Sequence, residues 1–318
     1  MLQIFKTIDN KLQELSLDEL ATGCWLNLTN PTSEEINTLI NKLNININLS
    51  YFYDSLDLKE RPRIEAENDS VFIVIGVPII ENSNNFLVIP LGIILTVDYI
   101  ITVSAFENEV INSIIKSSEK GFDTSKKNKL LFSILFKNTQ LYLEYLEIID
   151  DRSEEIQVKL KKTMQNKSLF GLFEVQKSLV FFTTALRNNG AVLDKLSRLK
   201  ENLSIQDIFN FQKEDIAVIK DIIIDNNQAL YIVEMHINIL ESMMDAFASI
   251  ISNNLNVVMR FLTSVTIVLT VPSVIAGLWG MNVKVPFAHH PFAFYYILLI
   301  SFSITAVIAY NLWKREMF

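Results

Sequence analysis

Apolar positions along this chain follow different rhythms in different stretches, and each rhythm predicts its own kind of element. In the first third, Val71 to Ile80, Phe86 to Thr96 and Tyr99 to Val103 are short runs rich in Val, Ile and Phe, the composition of strands. Asn82-Ser83-Asn84-Asn85 supplies a turn between the first two, which predicts a hairpin. Strands this apolar need cover on both faces, so helices must flank the sheet. Asn30-Pro31-Thr32-Ser33-Glu34-Glu35 starts one of them, with Thr32 and Glu35 at capping-box spacing and Ile36, Leu39, Ile40 and Leu43 on one side. Residues 1–125 therefore read as a mixed α/β domain.

From about Lys126 the rhythm becomes helical and stays so. Helices are predicted over roughly 126–165 and 168–200, with a third starting near Phe211. Gly171 and Gly190 are the only glycines between Gly121 and Pro272. The third helix meets no stop before Gly280, because a proline such as Pro272 is tolerated inside a membrane span. At 1.5 Å per residue its ~70 residues extend roughly 100 Å. A helix that long is not stable alone, which predicts a coiled-coil or bundle stalk over residues 126–257.

The last quarter is lipid-soluble. Phe261 to Val283 and Pro291 to Trp313 hold no charged residue, and each run exceeds the ~20 apolar residues that cross a bilayer core. No other stretch is expected to come close. Residues 258–318 thus form a hairpin: a first span over about 258–281, an outer loop over 282–291 and a second span over 292–313. Arg260 precedes the first span and Lys314 and Arg315 follow the second, against Lys284 alone in the loop, so both termini are expected in the cytoplasm. The start, from Met1 to Leu15, lacks an apolar core of signal-peptide length, in keeping with that side. The single cysteine, Cys24, forbids an intrachain disulfide.

Charge sharpens the division. Arg260, Lys284, Lys314 and Arg315 against Glu316 give residues 256–318 a net +3, and the whole chain carries −8, so residues 1–255 carry −11. An acidic soluble portion argues against nucleic acid as a partner and for cations, although acidity also keeps a large domain soluble.

One pattern on the third helix bears on function. Stepping alternately four and three residues from Asp245 reaches Ser249, Ser252, Asn256, Met259, Thr263, Thr266, Thr270, Ser273, Gly277 and Gly280. This is a heptad seam of small and hydroxylic residues in place of Leu and Ile. Of the five Ser and Thr between Phe261 and Trp279, only Ser264 lies off it. Two explanations compete: small residues pack membrane helices closely, with hydroxyls bonding across the contact, or identical helices turn this face towards a water-filled conduit. The continuation of the seam through Asn256, Ser252 and Asp245 favours the conduit. Met259 and the neighbouring Leu262 would then form an apolar constriction that gates by dewetting.

These residues resemble a known family. Asn256-Val-Val-Met259-Arg260-Phe-Leu262-Thr263, then Pro272, then Ala276-Gly277-Leu278-Trp279-Gly280-Met281-Asn282 is similar to the pore helix and signature of CorA magnesium transporters. Cys24-Trp25-Leu26-Asn27-Leu28, Asn30-Pro31-Thr32 and the stretch from Leu58 to Glu65 resemble the family's cytosolic domain, so the likeness spans the chain. It implies a funnel-shaped homopentamer in the cytoplasmic membrane, an α/β cytosolic domain on a helical stalk, and a pore lined by the first span. Gly280-Met281-Asn282 would be the selectivity filter, with Asn282 forming a ring at the outer mouth. Mg2+, with Co2+ and Ni2+ as relatives, would pass hydrated; it sheds water reluctantly and prefers oxygen ligands. A divalent ion moving inward gains roughly 4.6 kcal/mol per 100 mV, so no ATP is needed.

The resemblance also implies a regulatory Mg2+ site between cytosolic protomers, at Asp221 and Asp225. Their spacing of four differs from the family's commoner three, and a solvated stalk face is the plain alternative. Arg260 either anchors the helix at the headgroups or, in five copies, forms a basic collar at the cytoplasmic mouth. Val283 to Pro291 lacks the acidic residues the family often carries there. His289 and His290 in that loop raise Zn2+, Co2+ or Ni2+ as cargo, and a zinc transporter of the same superfamily is the rival within transport. An enzyme finds no support: there is no Gly-rich phosphate loop or metalloprotease helix, and His236 is the only histidine outside the loop. A membrane-anchored coiled-coil scaffold would explain stalk and hairpin but not the hydroxylic seam.

Overall fold

The predicted hairpin forms two neighbouring strands towards one edge of a seven-stranded sheet. β1 (Leu2–Ile8), β2 (Lys11–Leu15), β3 (Trp25–Thr29), β4 (Arg63–Glu67), β5 (Ser70–Asn82), β6 (Asn85–Thr96) and β7 (Ile100–Ser104) lie in the order β2-β1-β3-β7-β6-β5-β4. Only β3 and β7 pair parallel; the other neighbours are antiparallel. The structure is a computed structural model that describes residues 1–9, 11–43, 47–67, 70–82, 85–117, 123–163, 166–198, 208, 211, 213–283, 285–286 and 290–317. The middle of the expected turn, Ser83 and Asn84, lies outside the described residues, as do Lys284 and His289. The chain divides into two compact units, Met1–Glu241 and Ser242–Phe318.

Helices cover both faces of the sheet, as strands without a polar side require. α1 (Ser33–Leu43) and α2 (Ser50–Asp54) bury Ile36, Leu39, Leu43, Tyr51 and Phe52 in one core with Leu26, Leu28, Phe72, Val74, Ile94 and Ile101. The capping box forms: the Thr32 N–H donates to Glu35 Oε2 at 2.9 Å and the Glu35 N–H to Thr32 Oγ1 at 3.2 Å. The alternate strand positions Val71, Ile73, Ile75 and Val77 are buried too. α4 (Lys127–Thr163) packs on β5, and α5 (Asn166–Arg198) packs on β4, β5 and β6; α3 (Glu109–Ser117) packs on α4. The edge strands β2 and β4 are short and charged, which guards them against pairing with another chain. The Leu58–Glu65 stretch proves structural: Arg63 contacts Asp54, Glu60 and Glu65 and lies 5.3 Å over the Phe72 ring.

One expectation needs correcting. α5 is also long and apolar enough, over Leu169–Arg198, to cross a bilayer by length and composition alone. Its hydrophobic window is 39% buried, against 6% for α6 (Lys213–Trp279) and 0% for α7 (Ala293–Lys314). The apolar character of α5 is that of a sheet cover; Lys195 Nζ even donates to the Ile64 carbonyl at 2.8 Å.

A polar knot fixes α4 and α5 to the sheet. β4 pairing ends at Arg63↔Val74, so β5 is an edge beyond that point, which is where Pro78 is tolerated. The ladder-side groups of Gly76 lose their strand partner there. Asn189 accepts the Gly76 N–H at 2.8 Å and returns an amide to its carbonyl at 2.9 Å, joined at that carbonyl by Asn138 and Tyr142, each at 3.1 Å. Asn189→Ala should lower stability by about 2–3 kcal/mol, since a buried donor is left unpaired. Chemical denaturation of the whole protein checks this, and an unchanged midpoint would remove the knot from the stability argument.

Within the first unit, α6 buries Ile219, Ile222, Asn226, Ala229, Val233 and Leu240 at heptad spacing, the bundle contact its length demands. Gly190 lets it approach α5: an added Cβ there would stand 3.2 Å from Asn226 Nδ2, which donates to the Leu186 carbonyl at 3.0 Å. His236 is a packing residue, 3.3 Å from Asp150. The second unit holds the rest of α6 together with α7. Pro272 and Ile275 line a groove with Phe294, Leu298, Ser301 and Thr305 of α7, and Ser264 is fully buried with its Oγ donating to the Met317 carbonyl at 2.9 Å.

Candidate functional site

The residues of the second unit divide α6 into two sides. Ser264, Val265, Val268, Val271, Pro272, Ile275 and Trp279 have reduced exposure, and this side runs along α7. Every member of the seam, from Asp245 through Ser249, Ser252, Asn256, Met259, Thr263, Thr266, Thr270, Ser273 and Gly277 to Gly280, is exposed. At 3.6 residues per turn the two sets fall on roughly opposite sides of the helix. The polar face is therefore the one α7 leaves uncovered.

The hydroxyls of that face are held in a defined orientation. Thr266, Thr270 and Ser273 donate to the carbonyls four residues back, Leu262, Thr266 and Leu269, at 2.8, 2.7 and 3.1 Å. Each proton is thus directed into the helix, which satisfies the backbone and leaves oxygen lone pairs outward. A row of outward acceptors suits the positive hydrogens of a cation's water shell. Met259 and Leu262 are exposed at 52% and 56%, so the expected constriction residues share the uncovered surface.

α6 stops at Trp279, where the motif begins. The Gly280 N–H closes the last turn on the Ala276 carbonyl at 2.9 Å, and Met281 and Asn282 follow as exposed residues in an irregular bend. Trp279 Nε1 ties the bend down by donating to the Pro286 carbonyl at 3.2 Å. The final carbonyls of a helix carry about half a negative charge between them. The loop itself contributes no Asp or Glu, so this dipole end is the negative feature that α6 brings to the motif. His290 is engaged elsewhere: its Nδ1 accepts the Phe292 N–H at 3.2 Å, and its carbonyl accepts the Ala293 N–H at 3.0 Å, so it caps the start of α7.

In the first unit, Asp221 and Asp225 lie one turn apart on α6. Asp221 is exposed, whereas Asp225 is half-buried and accepts a hydrogen bond from Gln140 at 3.3 Å. Among the described residues, no three His, Cys, Asp or Glu side chains of one chain come together as a metal site. Arg260 is exposed on α6. Sequence reasoning missed the partner of Asp225 and the clasp between Ser264 and Met317, although Ser264 was marked as the one hydroxyl off the seam.

Comparison with known proteins completes the picture. A family model described as "CorA-like Mg2+ transporter protein" matches residues 21–315. The cobalt/magnesium transport protein CorA of Methanocaldococcus jannaschii is 28% identical over 308 residues, 95% of this chain and 93% of that one. Its namesake from Thermotoga maritima is 22% identical over 282 residues, 87% of this chain and 78% of that one. The complete structure of the CorA magnesium transporter from Methanocaldococcus jannaschii superposes with a TM-score of 0.84 at 25% identity, covering 98% of this chain and 96% of that one. With an α/β unit, a 67-residue helix, an apolar C-terminal hairpin and a family match over nearly its whole length, the chain belongs to the CorA-like Mg2+ transporter family.

Proposed function

We propose that this protein is a homopentameric channel in the cytoplasmic membrane that conducts hydrated Mg2+, and Co2+ with it, down the electrochemical gradient. The observation that carries the proposal is the seam: a row of outward oxygen acceptors on the side of α6 that α7 leaves bare, ending at Gly280-Met281-Asn282. Copies of α6 around an axis would enclose that row. The ring of Asn282 amides would hydrogen-bond the water shell of an incoming ion, without the tight direct ligation that would hold it in place. Both termini lie in the cytoplasm on this reading, and the membrane potential drives entry. A zinc cargo finds less support, because His290 is taken up in starting α7.

Uptake into liposomes holding the purified protein, with Mg2+ and Zn2+ supplied separately, tests the function. Mg2+ entry that rises with an inside-negative potential supports it. Zn2+ entry without Mg2+ entry would move the protein to the zinc branch, and no entry of either ion into vesicles with folded protein would overturn conduction altogether.

Gating by internal Mg2+ is part of the same proposal. Asp221 is the exposed carboxylate of the pair and so the one available to an ion held between protomers, while Asp225 is engaged by Gln140. Asp221→Asn should raise the internal Mg2+ needed for shutdown about tenfold, the effect of about 1.4 kcal/mol of lost charged ligation. Flux recorded against internal Mg2+ reads this directly, and an unshifted inhibition curve would take Asp221 out of the sensor.

A further inference from the structure

The second unit is clasped at its charged end. Ser264, fully buried, donates to the Met317 carbonyl at 2.9 Å, which brings the residues after α7 onto α6 one turn beyond Arg260. The chain turns back there through Glu316, whose φ is 55, with the Met317 N–H on the Leu312 carbonyl at 3.1 Å. Arg260, Lys314 and Arg315 are thereby gathered at one end of the hairpin. All three are exposed, and among the described residues none is in an ion pair. Glu316 is the only Asp or Glu between Ala246 and Met317. One of these cations, Lys314, complements the C-terminal dipole of α7, which amounts to about half a charge, so most of the positive charge is left over.

Beside the cations stands an amphipathic surface. Tyr310 and Trp313 are exposed at 60% and 68% with ring centroids 6.2 Å apart, and Phe302 and Val307 are exposed further along α7. We propose that this end of the hairpin binds the headgroup of an anionic phospholipid. The two guanidinium groups and Lys314 take the phosphate, a group that Arg meets with paired donors. Tyr310 and Trp313 sit at headgroup depth, where such rings collect, and the acyl chains run along Val307 and Phe302. A free phosphate would use the cations and ignore the aromatic and apolar surface beside them, so the lipid is the better fit. The assignment rests on the membrane reading of α6 and α7 and not on ion conduction.

The test is a melting experiment on the full-length protein in mixed micelles of detergent and phosphatidylcholine, titrated with phosphatidylglycerol. Phosphatidylglycerol should raise the melting temperature to a plateau, less so as salt rises. The triple variant Arg260→Gln, Lys314→Gln, Arg315→Gln should need about a hundredfold more of it, since each surface cation contributes several-fold to anionic-lipid binding. Arg260→Lys with Arg315→Lys should fall between the native protein and the triple variant, because the charge stays while the paired donors are lost. If the triple variant melts early in phosphatidylcholine alone, the single Arg315→Gln variant, with a shift of about fivefold, carries the test. An unchanged titration in the variants, an equal effect of phosphatidylcholine on the native protein, or the same shift from soluble glycerophosphate would overturn the assignment; the last would identify a free-anion site. Ion flux into liposomes made from the same protein preparations separates the two proposals: a retained lipid response without flux defeats conduction alone.

Discussion

Asn282→Ala is expected to cut Mg2+ uptake about a hundredfold or more while leaving the protomer folded. The fold should survive because Asn282 is exposed beyond the end of α6, and the bend that carries it is held by Gly280 N–H on Ala276 and Trp279 on Pro286. The flux should fall because the loop offers no carboxylate to take the amide's place. A hydrogen bond to a charged partner is worth about 1.5–3 kcal/mol, and losing even one without replacement at the highest barrier slows passage about tenfold to a hundredfold. Every copy in a ring loses its own. Initial rates of Mg2+ entry into liposomes, at fixed potential and with matched protein content, decide the matter. Entry at the native rate would show that the mouth selects through something other than the Asn282 amide.

Which parts of this molecule could be read in its sequence follows from how locally they are determined. The hairpin β5–β6 and the helices α4, α5 and α6 declare themselves within their own residues: a long β-branched run around an Asn-rich turn, or helical spacing uninterrupted by Gly and Pro. β1 to β4 do not. They are short and partly polar, so their own residues give only a weak strand signal, and β3 also pairs far away in sequence, Trp25 with Ile100 in the parallel β3–β7 ladder. α5 misleads in the other direction, because burial against a sheet and burial in lipid select the same residue types. Its burial against the strands, and the contacts of Asn189 and Lys195 with them, tell the two apart.

The candidate site divides in the same way. The seam and the motif were legible because period and residue type are both local properties of one helix. That the seam avoids α7 was not legible, since two helices leave open which side of one meets the other; the reduced exposure of Ser264 and Ile275 decides it. The spacing of four already set Asp225 apart from the family's pattern, but not what engages it. Its partner, Gln140, is 85 residues away, and no pattern in the sequence announces it.

Gly277 gives the sharpest test of what the seam faces. A Cβ added there would meet nothing within 4 Å, so the protomer has no packing reason for glycine in the last turn of α6. Glycine in a helix is destabilising by about 0.5–1 kcal/mol relative to alanine, and the seam reading supplies a reason for it outside the protomer, in a close-packed helix or an ion path. Gly277→Leu should therefore leave the melting temperature equal or higher, because the helix gains a good former and loses no neighbour. In a conduit, however, a leucine from every copy would close an apolar ring on the passing ion. A dewetted constriction that adds a few kcal/mol to the barrier lowers flux about a hundredfold. Gly277→Ala should fall between the two. Flux, melting temperature and oligomer mass measured together separate the possible faces. Lost flux with an intact oligomer supports the water-filled side. Lost flux with a smaller oligomer means that the seam packs helix on helix, and unchanged flux means that it meets neither conduit nor neighbour.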